Sequence, residues 1–380
     1  MVVGGGPAGS TVARMLSKEL DVLLVEEHHC PGRPVQCAGL VTPRGIPPSA
    51  RKSIIGRVKG ARIHSPLGFT LALEAKETRA CVIDRGAFDQ ALFDEAISAG
   101  AVTLTDAKVT SVRDGGDAVD AVVSRQGAEE TVQAAVAIGA EGFKSICREA
   151  AGLPPAKHML TGIQVDLAGL KPDPDTVDLY IGAKVAPGFF AWAIPAGDVV
   201  RVGLCTWGSE HTPSIYLRSL LRRQEFVGGR KVGSSSGKIP LGSGRSAQSG
   251  RIMLVGDAAC HAKPLSGGGV FMGVRGAELC AQSVLSFKET GKPSSLAAYD
   301  GLWREGFGRE LSRAFRLRKV FLTLTDKKMD KALRMFDDPS VKRFIEENAD
   351  IDYPASLSSS VLKLAPKLAQ FSPQLIESLF

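Results

Sequence analysis

The chain has 380 residues, a formal net charge of +7, a hydrophobic content of 44% and seven cysteines. Its length predicts two domains or one domain with a large insertion, and the irregular cysteine spacing excludes a disulfide framework and a paired Cys-x-x-Cys metal site. No stretch approaches the roughly 20 apolar residues of a membrane-spanning helix, and dispersed basic residues without an aromatic platform exclude nucleic acid as an expected partner.

A glycine-rich turn opens the chain. Residues 4–9 read Gly-Gly-Gly-Pro-Ala-Gly, between an apolar strand at residues 2–3 and a predicted helix over residues 10–20. Glycines in this pattern allow a tight turn and a close backbone approach to a pyrophosphate, which then lies at the N-terminus of the helix. The residues expected to contact the pyrophosphate are Gly4, Gly6, Ala8 and Gly9.

A carboxylate follows the next strand. Residues 21–25 form a second apolar run, which ends at Glu26, roughly 20 residues from the glycines, where a dinucleotide ribose is bound in a βαβ unit. The turn and Glu26 together predict a dinucleotide site. Because the turn occupies the first residues, no secretory signal is expected and the expected location is the cytoplasm.

Residues 60–150 alternate between strands and one helix. The helix is predicted over residues 85–99, with Asp84 or Arg85 as its cap and a buried face of Phe88, Leu92, Phe93 and Ile97. The predicted strands are residues 61–65, 69–73, 101–104, 108–112, 121–123 and 134–138.

A second sheet and a return to the nucleotide domain follow. Strands are predicted at residues 161–165, 178–181, 189–194 and 199–206, and a buried strand at 251–255 precedes Gly256-Asp257 and the glycines 267–269, from which a helix runs to residue 285. The fold class is therefore α/β, with a Rossmann-like domain of residues 1–60, 80–155 and 245–295. A β-sheet substrate domain would comprise residues 60–80 and 155–245, and a helical region residues 296–380.

The second glycine segment favours FAD over NAD. Asp257 can hold ribityl hydroxyls, and the N–H groups of Gly269 and Val270 can face a flavin carbonyl that becomes anionic on reduction. A further fingerprint at residues 242–247 precedes a strand instead of following one, so it does not predict a separate nicotinamide site. Electrons are therefore expected from transient NAD(P)H or from a ferredoxin-type protein.

These motifs, with Ala140-Glu141-Gly142, resemble FAD-dependent oxidoreductases of the glutathione-reductase and hydroxylase type. Residues 34–39, Pro-Val-Gln-Cys-Ala-Gly, and residues 190–195, Phe-Ala-Trp-Ala-Ile-Pro, resemble the geranylgeranyl reductase family, which includes the archaeal digeranylgeranylglycerophospholipid reductases. The family's aromatic motif usually reads Tyr-x-Trp-x-Phe-Pro, so the chain departs from it at Phe190 and Ile194. The resemblance implies that the FAD contacts are Ala8, Glu26, Cys37, Ala38, Gly39, Arg85, Val109, Asp257, Gly269 and Val270.

In this interpretation the protein saturates isoprenoid double bonds in a membrane lipid or quinone side chain. An isolated alkene accepts hydride poorly, so a proton donor must lie close to it, and Cys37 is the candidate, as acid or as organiser of the flavin face. The alternative is that Cys37 is a small buried apolar residue. Phe190 and Trp192 would line a tunnel for the prenyl chain, although strand aromatics are ordinarily core residues.

Three histidines and the basic tail receive other interpretations. His261 could relay protons but is more typical of a surface loop, and His28 and His29 are interpreted as an exposed loop without a metal role. The tail carries Phe315, Val320, Phe321 and Leu324 among Arg313, Arg316, Arg318 and Lys319, a basic amphipathic pattern that could lie on the inner membrane face or be an ordinary solvated surface.

Two other functions fit the same motifs. One is an aromatic or quinone monooxygenase that uses oxygen. The other is a flavoprotein electron carrier without small-molecule turnover.

Overall fold

The computed structural model describes residues 1–242 and 246–357. Within them, the strands are β1 (Val2–Val3), β2 (Leu23–Val25), β3 (Leu40–Val41), β4 (Ile54–Val58), β5 (Gly60–His64), β6 (Thr70–Glu74), β7 (Ala80–Ile83), β8 (Val102–Leu104), β9 (Ala107–Asp114), β10 (Val119–Arg125), β11 (Ala128–Ala134), β12 (Ala137–Gly139), β13 (His158–Ala168), β14 (Thr176–Ile181), β15 (Phe190–Ala196), β16 (Val199–Thr206), β17 (Arg230–Leu241), β18 (Gln248–Ser249) and β19 (Ile252–Leu254). The helices are α1 (Pro7–Leu16), α2 (Arg85–Ser98), α3 (Ile146–Ala150), α4 (Pro213–Leu220), α5 (Val270–Thr290), α6 (Pro293–Trp303), α7 (Arg309–Thr323), α8 (Asp326–Phe336) and α9 (Pro339–Asn348).

The first sheet is the Rossmann-like one. Its strand order is β18-β19-β12-β1-β2-β8, and every pair is parallel except the edge pair β18-β19. Helix α1 packs on β1 and β2 and also contacts α2 and α5. Since β1, β2, β12 and β19 all run in one direction, the loops after them meet at one edge, where open α/β sheets bind ligands.

The second large sheet has the order β17-β13-β16-β15-β14-β5-β6. All its pairs are antiparallel except β14-β5. Strands β5 and β6 therefore join strands that follow them by about a hundred residues of chain. Two three-stranded sheets, β11-β10-β9 and β3-β7-β4, complete the described sheets, and β7 contacts β15. The α/β fold class is confirmed, and the exact domain boundaries stay a prediction.

Local signals explain where helices begin. Pro7, at the first position of α1, has a fixed φ suited to a helix and lacks an N–H that would have no partner there. Asp84, and not Arg85, caps α2, because its carboxylate accepts from the Ala87 N–H at 3.1 Å. The predicted buried face of α2 is wrong at Ile97, which is 46% exposed, because the buried stripe ends at Ala96 in the last turn.

The C-terminal helices correct the expected basic surface. In α7 the buried residues include Leu311, Ala314, Phe315 and Arg318, spaced three, four and seven apart on one face. Arg318 therefore lies inside the protein, whereas Arg313 and Arg316 are exposed as expected. The strand β17 was not predicted, because its run of glycine and serine lacks an apolar alternation. Across the described ranges, none of the helices has the length and apolar composition needed to cross a membrane.

Candidate active site

The glycine turn leaves an open cradle at the edge of the Rossmann-like sheet. A Cβ on Gly9 would lie 1.9 Å from the Gly4 carbonyl oxygen, and one on Gly4, where φ is +101°, would lie 2.5 Å from the Ala140 oxygen. A Cβ on Gly6 would meet no atom within 4 Å. Gly4 and Gly9 are therefore required for packing, whereas Gly6 borders free space that a ligand's phosphates can approach.

The N-terminus of α1 faces this space and has no side-chain cap among the described residues. Gly6 is the N-cap, no side chain caps the helix, and its first turn holds no acidic residue. The N–H groups of Ala8 and Gly9 have no intrahelical acceptor by position, and the helix dipole favours an anion there. These features fit a pyrophosphate.

Glu26 is held beside the turn and is 7% exposed. Its Oε2 accepts from the Gly5 N–H at 2.7 Å, and its Oε1 accepts from the His28 N–H at 2.9 Å and lies 2.7 Å from His28 Nδ1. His28 lies in the loop as expected, with a side chain that is 43% exposed, and it is in addition hydrogen-bonded to this carboxylate. His29 is exposed and pairs with Asp106.

Val109 lies near Glu26 through the strand β9. The Ala107 N–H, two residues earlier, donates to the Glu26 carbonyl oxygen at 3.0 Å. The Val109 side chain itself is buried in the hydrophobic core. Only its backbone can therefore contact a nucleotide held by Glu26, and that contact stays a prediction.

The second glycine segment closes over the same edge. A Cβ on Gly256 would lie 3.1 Å from the Ala8 Cβ, and a Cβ on Gly269 would lie 2.8 Å from Asp257 Oδ1. The structure thus brings Ala8, Asp257 and Gly269 together, although about 250 residues of chain separate the first from the others. Val270 begins α5 directly after Gly269.

Asp257 has an unusual environment for a carboxylate. Burial raises its pKa to about 6, and the nearby Arg85 offsets only part of that rise. Its side chain makes no hydrogen bond with residues 1–242 or 246–357. A ligand carrying hydroxyl groups, such as a ribityl chain, would supply the missing donors.

The Cys37 loop is fixed from two sides. Cys37 Sγ accepts from the Gly39 N–H at 3.3 Å, and the Arg85 guanidinium lies near enough to the thiol to interact with it electrostatically. Arg85 also contacts both oxygens of Asp89, at 3.0 and 2.9 Å. Burial lowers the pKa of Arg85, but Asp89 and Cys37 raise it more, so the guanidinium stays charged beside the thiol.

Arg201, on β16, anchors the same loop. Its Nη1 donates to the Ala38 carbonyl at 2.8 Å and to the Ile83 carbonyl at 3.0 Å. Gly39 adopts a φ of +76°, and a Cβ there would lie 2.3 Å from Arg201 Nη1. The loop conformation thus depends on Gly39 and Arg201 together, and Arg201 gave no motif in the sequence.

An apolar group, here named the aromatic cluster, lies beside this loop. Phe190 and Trp192 project from the same face of β15 with ring centroids 6.2 Å apart, and Trp192 Nε1 donates to Gln164 Oε1 at 2.9 Å. The cluster comprises Leu160, Phe189, Phe190, Trp192, Cys205, Trp207, Ile239, Leu241, Ala262 and Phe315.

The aromatic cluster connects the two predicted halves of the site. A Cβ on Gly267 would lie 3.2 Å from Ile239 Cδ1 and 3.3 Å from the Phe189 ring, while a Cβ on Gly237 would lie 3.4 Å from Gln36. The cluster therefore extends from the loop that carries Cys37 to the glycine segment that precedes α5. Cofactor and substrate residues predicted from distant motifs lie in one region.

Two further residues differ from their sequence interpretation or were missed by it. His261 is fully buried between the Trp303 and Phe307 rings, at 5.1 and 5.0 Å, because the turn through Cys260 directs it inward. Burial lowers its pKa to about 3, so it is neutral and not the expected surface residue. Asp352 is buried, and it accepts from Lys263 Nζ at 2.9 Å and from Thr42 Oγ1 at 2.7 Å.

Comparisons with known proteins show which families the chain is similar to. The FAD binding domain family matches residues 48–225, and the NAD(P)-binding Rossmann-like domain family matches residues 2–37. Digeranylgeranylglycerophospholipid reductase 2 of Methanothermobacter thermautotrophicus is 30% identical over 383 residues, which covers 94% of this chain and 97% of that protein. An uncharacterized protein of Methanocaldococcus jannaschii is 31% identical over 373 residues, 96% of this chain and 94% of the other.

A solved structure shares the fold over the whole chain. The crystal structure of a geranylgeranyl bacteriochlorophyll reductase-like protein from Thermoplasma acidophilum superposes with a TM-score of 0.86 and 24% identity, covering 98% of each chain. Together with the match to the FAD binding domain family, this likeness confirms the FAD-binding architecture with a helical C-terminal region.

Proposed function

Since the chain belongs to the geranylgeranyl reductase family of FAD-dependent oxidoreductases, we propose that it saturates isoprenoid double bonds in a prenyl lipid or quinone side chain. The observation that carries the proposal is the position of Cys37, near the Arg85 guanidinium and on the loop whose Gln36 approaches Gly237, next to the aromatic cluster. An apolar chain lying along that cluster would reach the Cys37 loop and the glycine segment at its two sides.

FAD would be held by residues already described. The pyrophosphate would lie at Gly6, the adenosine ribose at Glu26, and the ribityl hydroxyls at Asp257, while the N–H groups of Gly269 and Val270 would face the ring. When bound, FAD supplies the electron pair, as a hydride, that alkene reduction requires.

Cys37 would supply the proton. An unactivated alkene needs protonation at one carbon as hydride reaches the other, so the acid must lie against the bound chain. After the thiol releases its proton, the thiolate would be stabilised by the Arg85 guanidinium and by the Gly39 N–H. Arg201 acts as a positioning residue because it fixes the carbonyl of Ala38, next to the thiol.

The proposal is tested by mass spectrometry. The dithionite-reduced holoprotein is incubated without oxygen with geranylgeranyl lipids, and products heavier by pairs of hydrogen atoms are expected. Cys37→Ala should lower the yield at least tenfold, whereas Cys30→Ser, which changes an exposed cysteine, should not. Masses that never change would refute the reductase, and oxygen consumption with a phenolic substrate would support the monooxygenase instead. Full yield from Cys37→Ala would remove Cys37 from the chemistry.

We also propose peripheral contact with anionic lipid. The exposed Arg304, Arg309, Arg313 and Arg316 line a surface groove of about 720 Å³. Guanidinium groups bind phosphate readily, and several near a membrane surface give additive attraction. Sedimentation with vesicles containing phosphatidylglycerol, but not with phosphatidylcholine vesicles, is the expected result, and equal binding to both would contradict it.

We propose that the electron donor is either NAD(P)H, bound transiently, or a ferredoxin-type protein. Adding each donor to the holoprotein and following reduction of the bound flavin distinguishes the two.

A further inference from the structure

A buried ion pair lies directly beside the glycine segment that precedes α5. Lys263 is 5% exposed and Asp352 is 1% exposed, and Lys263 Nζ donates to Asp352 Oδ1 and to the Ile351 carbonyl, both at 2.9 Å. A buried pair of this kind adds little net stability, because the cost of removing both charges from water offsets their attraction. Stability alone therefore does not account for the pair.

Lys263 is part of the backbone turn that leads to Gly269. Its N–H donates to the Gly268 carbonyl at 3.1 Å, and its carbonyl accepts from the Gly267 N–H at 2.8 Å. Its side chain lies over the same turn, since a Cβ on Gly268 would lie 3.0 Å from Lys263 Cε and 3.4 Å from Nζ. The ammonium group is thus held next to Gly268, one residue before the Gly269 N–H that we place at the flavin ring.

Asp352 connects this turn to the chain segment that follows the Cys37 loop. Its Oδ2 accepts from Thr42 Oγ1 at 2.7 Å and from Arg44 Nη2 at 3.0 Å. Thr42 directly follows β3, and β3 begins directly after Gly39. The carboxylate therefore contacts the continuations of both segments that we expect to hold the flavin ring, although it lies 310 residues after Thr42.

The charged side chains around Asp352, here named the charge cluster, balance one another. The cluster comprises Arg44, Lys263, Asp350 and Asp352, and Arg44 Nη2 also donates to Asp350 Oδ1 at 2.5 Å. The Arg44 guanidinium lies 5.4 Å from the centroid of the Phe271 ring, in the first turn of α5. Two cations face two carboxylates, so removing one partner changes the net charge by one, whereas removing one of each sign leaves it unchanged.

We propose that Lys263 and Asp352 together set the reduction potential of the bound flavin. Uptake of two electrons and one proton leaves one negative charge on the ring of bound FAD, and fixed protein charges near the ring tune this equilibrium. Lys263 favours that negative charge, and Asp352 limits the effect and holds the ammonium group at the turn. The inference rests on the proposed placement of FAD and does not depend on which alkene is reduced.

The two single substitutions should shift the potential in opposite directions. Asp352→Asn leaves the ammonium group without its carboxylate, so it should favour the reduced flavin and raise the potential. Lys263→Met removes the cation and leaves the carboxylate, so it should lower the potential. A unit charge about 10 Å away, at an effective dielectric constant of about 20, changes such an equilibrium more than tenfold, and tenfold corresponds to about 30 mV for a two-electron couple.

The double variant Lys263→Met/Asp352→Asn separates a charge effect from a loosened turn. It leaves the net charge of the cluster unchanged, so its equilibrium constant for flavin reduction should lie within about twofold of the wild-type value. If the pair acted only by holding the structure together, both single variants would shift the potential in the same direction, and the double variant would differ from wild type at least as much as either.

The measurement is a reductive titration of each holoprotein against a reference dye, without oxygen and without substrate. Asp330→Asn is the matched control, because Asp330 is also a buried carboxylate that accepts from an arginine, Arg334 Nε at 2.8 Å, but on α8, which packs on β6. Its potential should equal that of the wild type. Shifts of the same sign in both single variants, or no shift in either, would overturn the inference.

These outcomes are independent of the proposed function, because no alkene is added. Opposite shifts in a protein that reduces no prenyl lipid would support the inference while refuting the proposed substrate. If Asp352→Asn does not retain flavin, Lys263→Met is compared with Lys263→Arg, which keeps the charge. The equilibrium constant should then fall at least tenfold in Lys263→Met only, and equal potentials in the two variants would overturn the inference.

Discussion

A substitution at Gly6 should affect cofactor binding without affecting the stability of the fold. In Gly6→Ala the new Cβ meets no protein atom within 4 Å, so packing is retained. The expected cost to the apoprotein is at most about 1 kcal/mol, because alanine is a poorer N-cap than glycine. The methyl group would instead occupy the space next to the N–H groups of Ala8 and Gly9, where we place the pyrophosphate.

The magnitude follows from the contacts that the methyl group would displace. Each hydrogen bond from these N–H groups to a charged phosphate contributes about 1.5–3 kcal/mol, so losing both costs about 3–6 kcal/mol. That loss corresponds to an FAD dissociation constant raised roughly 10²- to 10⁴-fold. In Gly9→Ala, by contrast, the Cβ would lie 1.9 Å from the Gly4 oxygen, so the apoprotein itself should lose stability.

The assay is a titration of apoprotein with FAD, followed by flavin fluorescence, together with the thermal midpoint of each apoprotein. Gly306→Ala, whose Cβ would make an ordinary 3.4 Å contact with Leu279, is the control for a glycine replacement outside the cradle. A dissociation constant for Gly6→Ala within threefold of the wild type would refute the placement of the pyrophosphate. A normal midpoint for Gly9→Ala would refute the packing argument.

Three further predictions concern groups around the site. Asp352→Asn leaves the buried Lys263 ammonium unpaired and should destabilise the protein by about 3–5 kcal/mol in urea unfolding; a loss below 1 kcal/mol would contradict it. The pKa of Asp257 is raised to about 6, so the native apoprotein holds its proton more tightly than the unfolded chain does, and stability should fall as pH rises from about 4 to 6. Asp257→Asn removes this pH dependence. The free energy of unfolding of the variant relative to wild type should therefore rise across this window by at most about 3 kcal/mol. A difference between the two proteins that does not change with pH would contradict the prediction. Arg201→Met removes two hydrogen bonds and should lower stability by about 2–4 kcal/mol, with a fall in kcat for alkene reduction that Arg201→Lys partly restores; unchanged kcat would exclude the positioning role.

The sequence predicted the elements whose signals are local. Strand β16 was expected at residues 199–206 and occupies those residues, because its apolar and β-branched composition is contained within the segment. The cap of α2 follows equally from Asp84 and the start of a helical pattern. The glycines of residues 4–9 were identified correctly as a turn, since their backbone requirements do not depend on the rest of the chain.

Some failures of the sequence interpretation were avoidable. Arg318 lies seven residues after Leu311 on the buried face of α7, so helical spacing places it inside. It was grouped with the basic residues of an amphipathic tail because it stands among Arg313, Arg316 and Lys319. The residue type outweighed the spacing, although here the spacing was the better guide.

What the sequence by itself determined is the kind of cofactor site and the order of its elements, because backbone turns, caps and apolar periods act over a few residues. Only the tertiary structure decided that Arg201 holds the carbonyl of Ala38, 163 residues earlier, and that Asp352 pairs with Lys263, 89 residues earlier. Such contacts produce no repeating pattern in the sequence. Each is a single contact between one side chain and one distant partner, and it forms only when the sheets pack together. The buried charge of Arg318 belongs with them, because its lack of a carboxylate is a property of its surroundings in space.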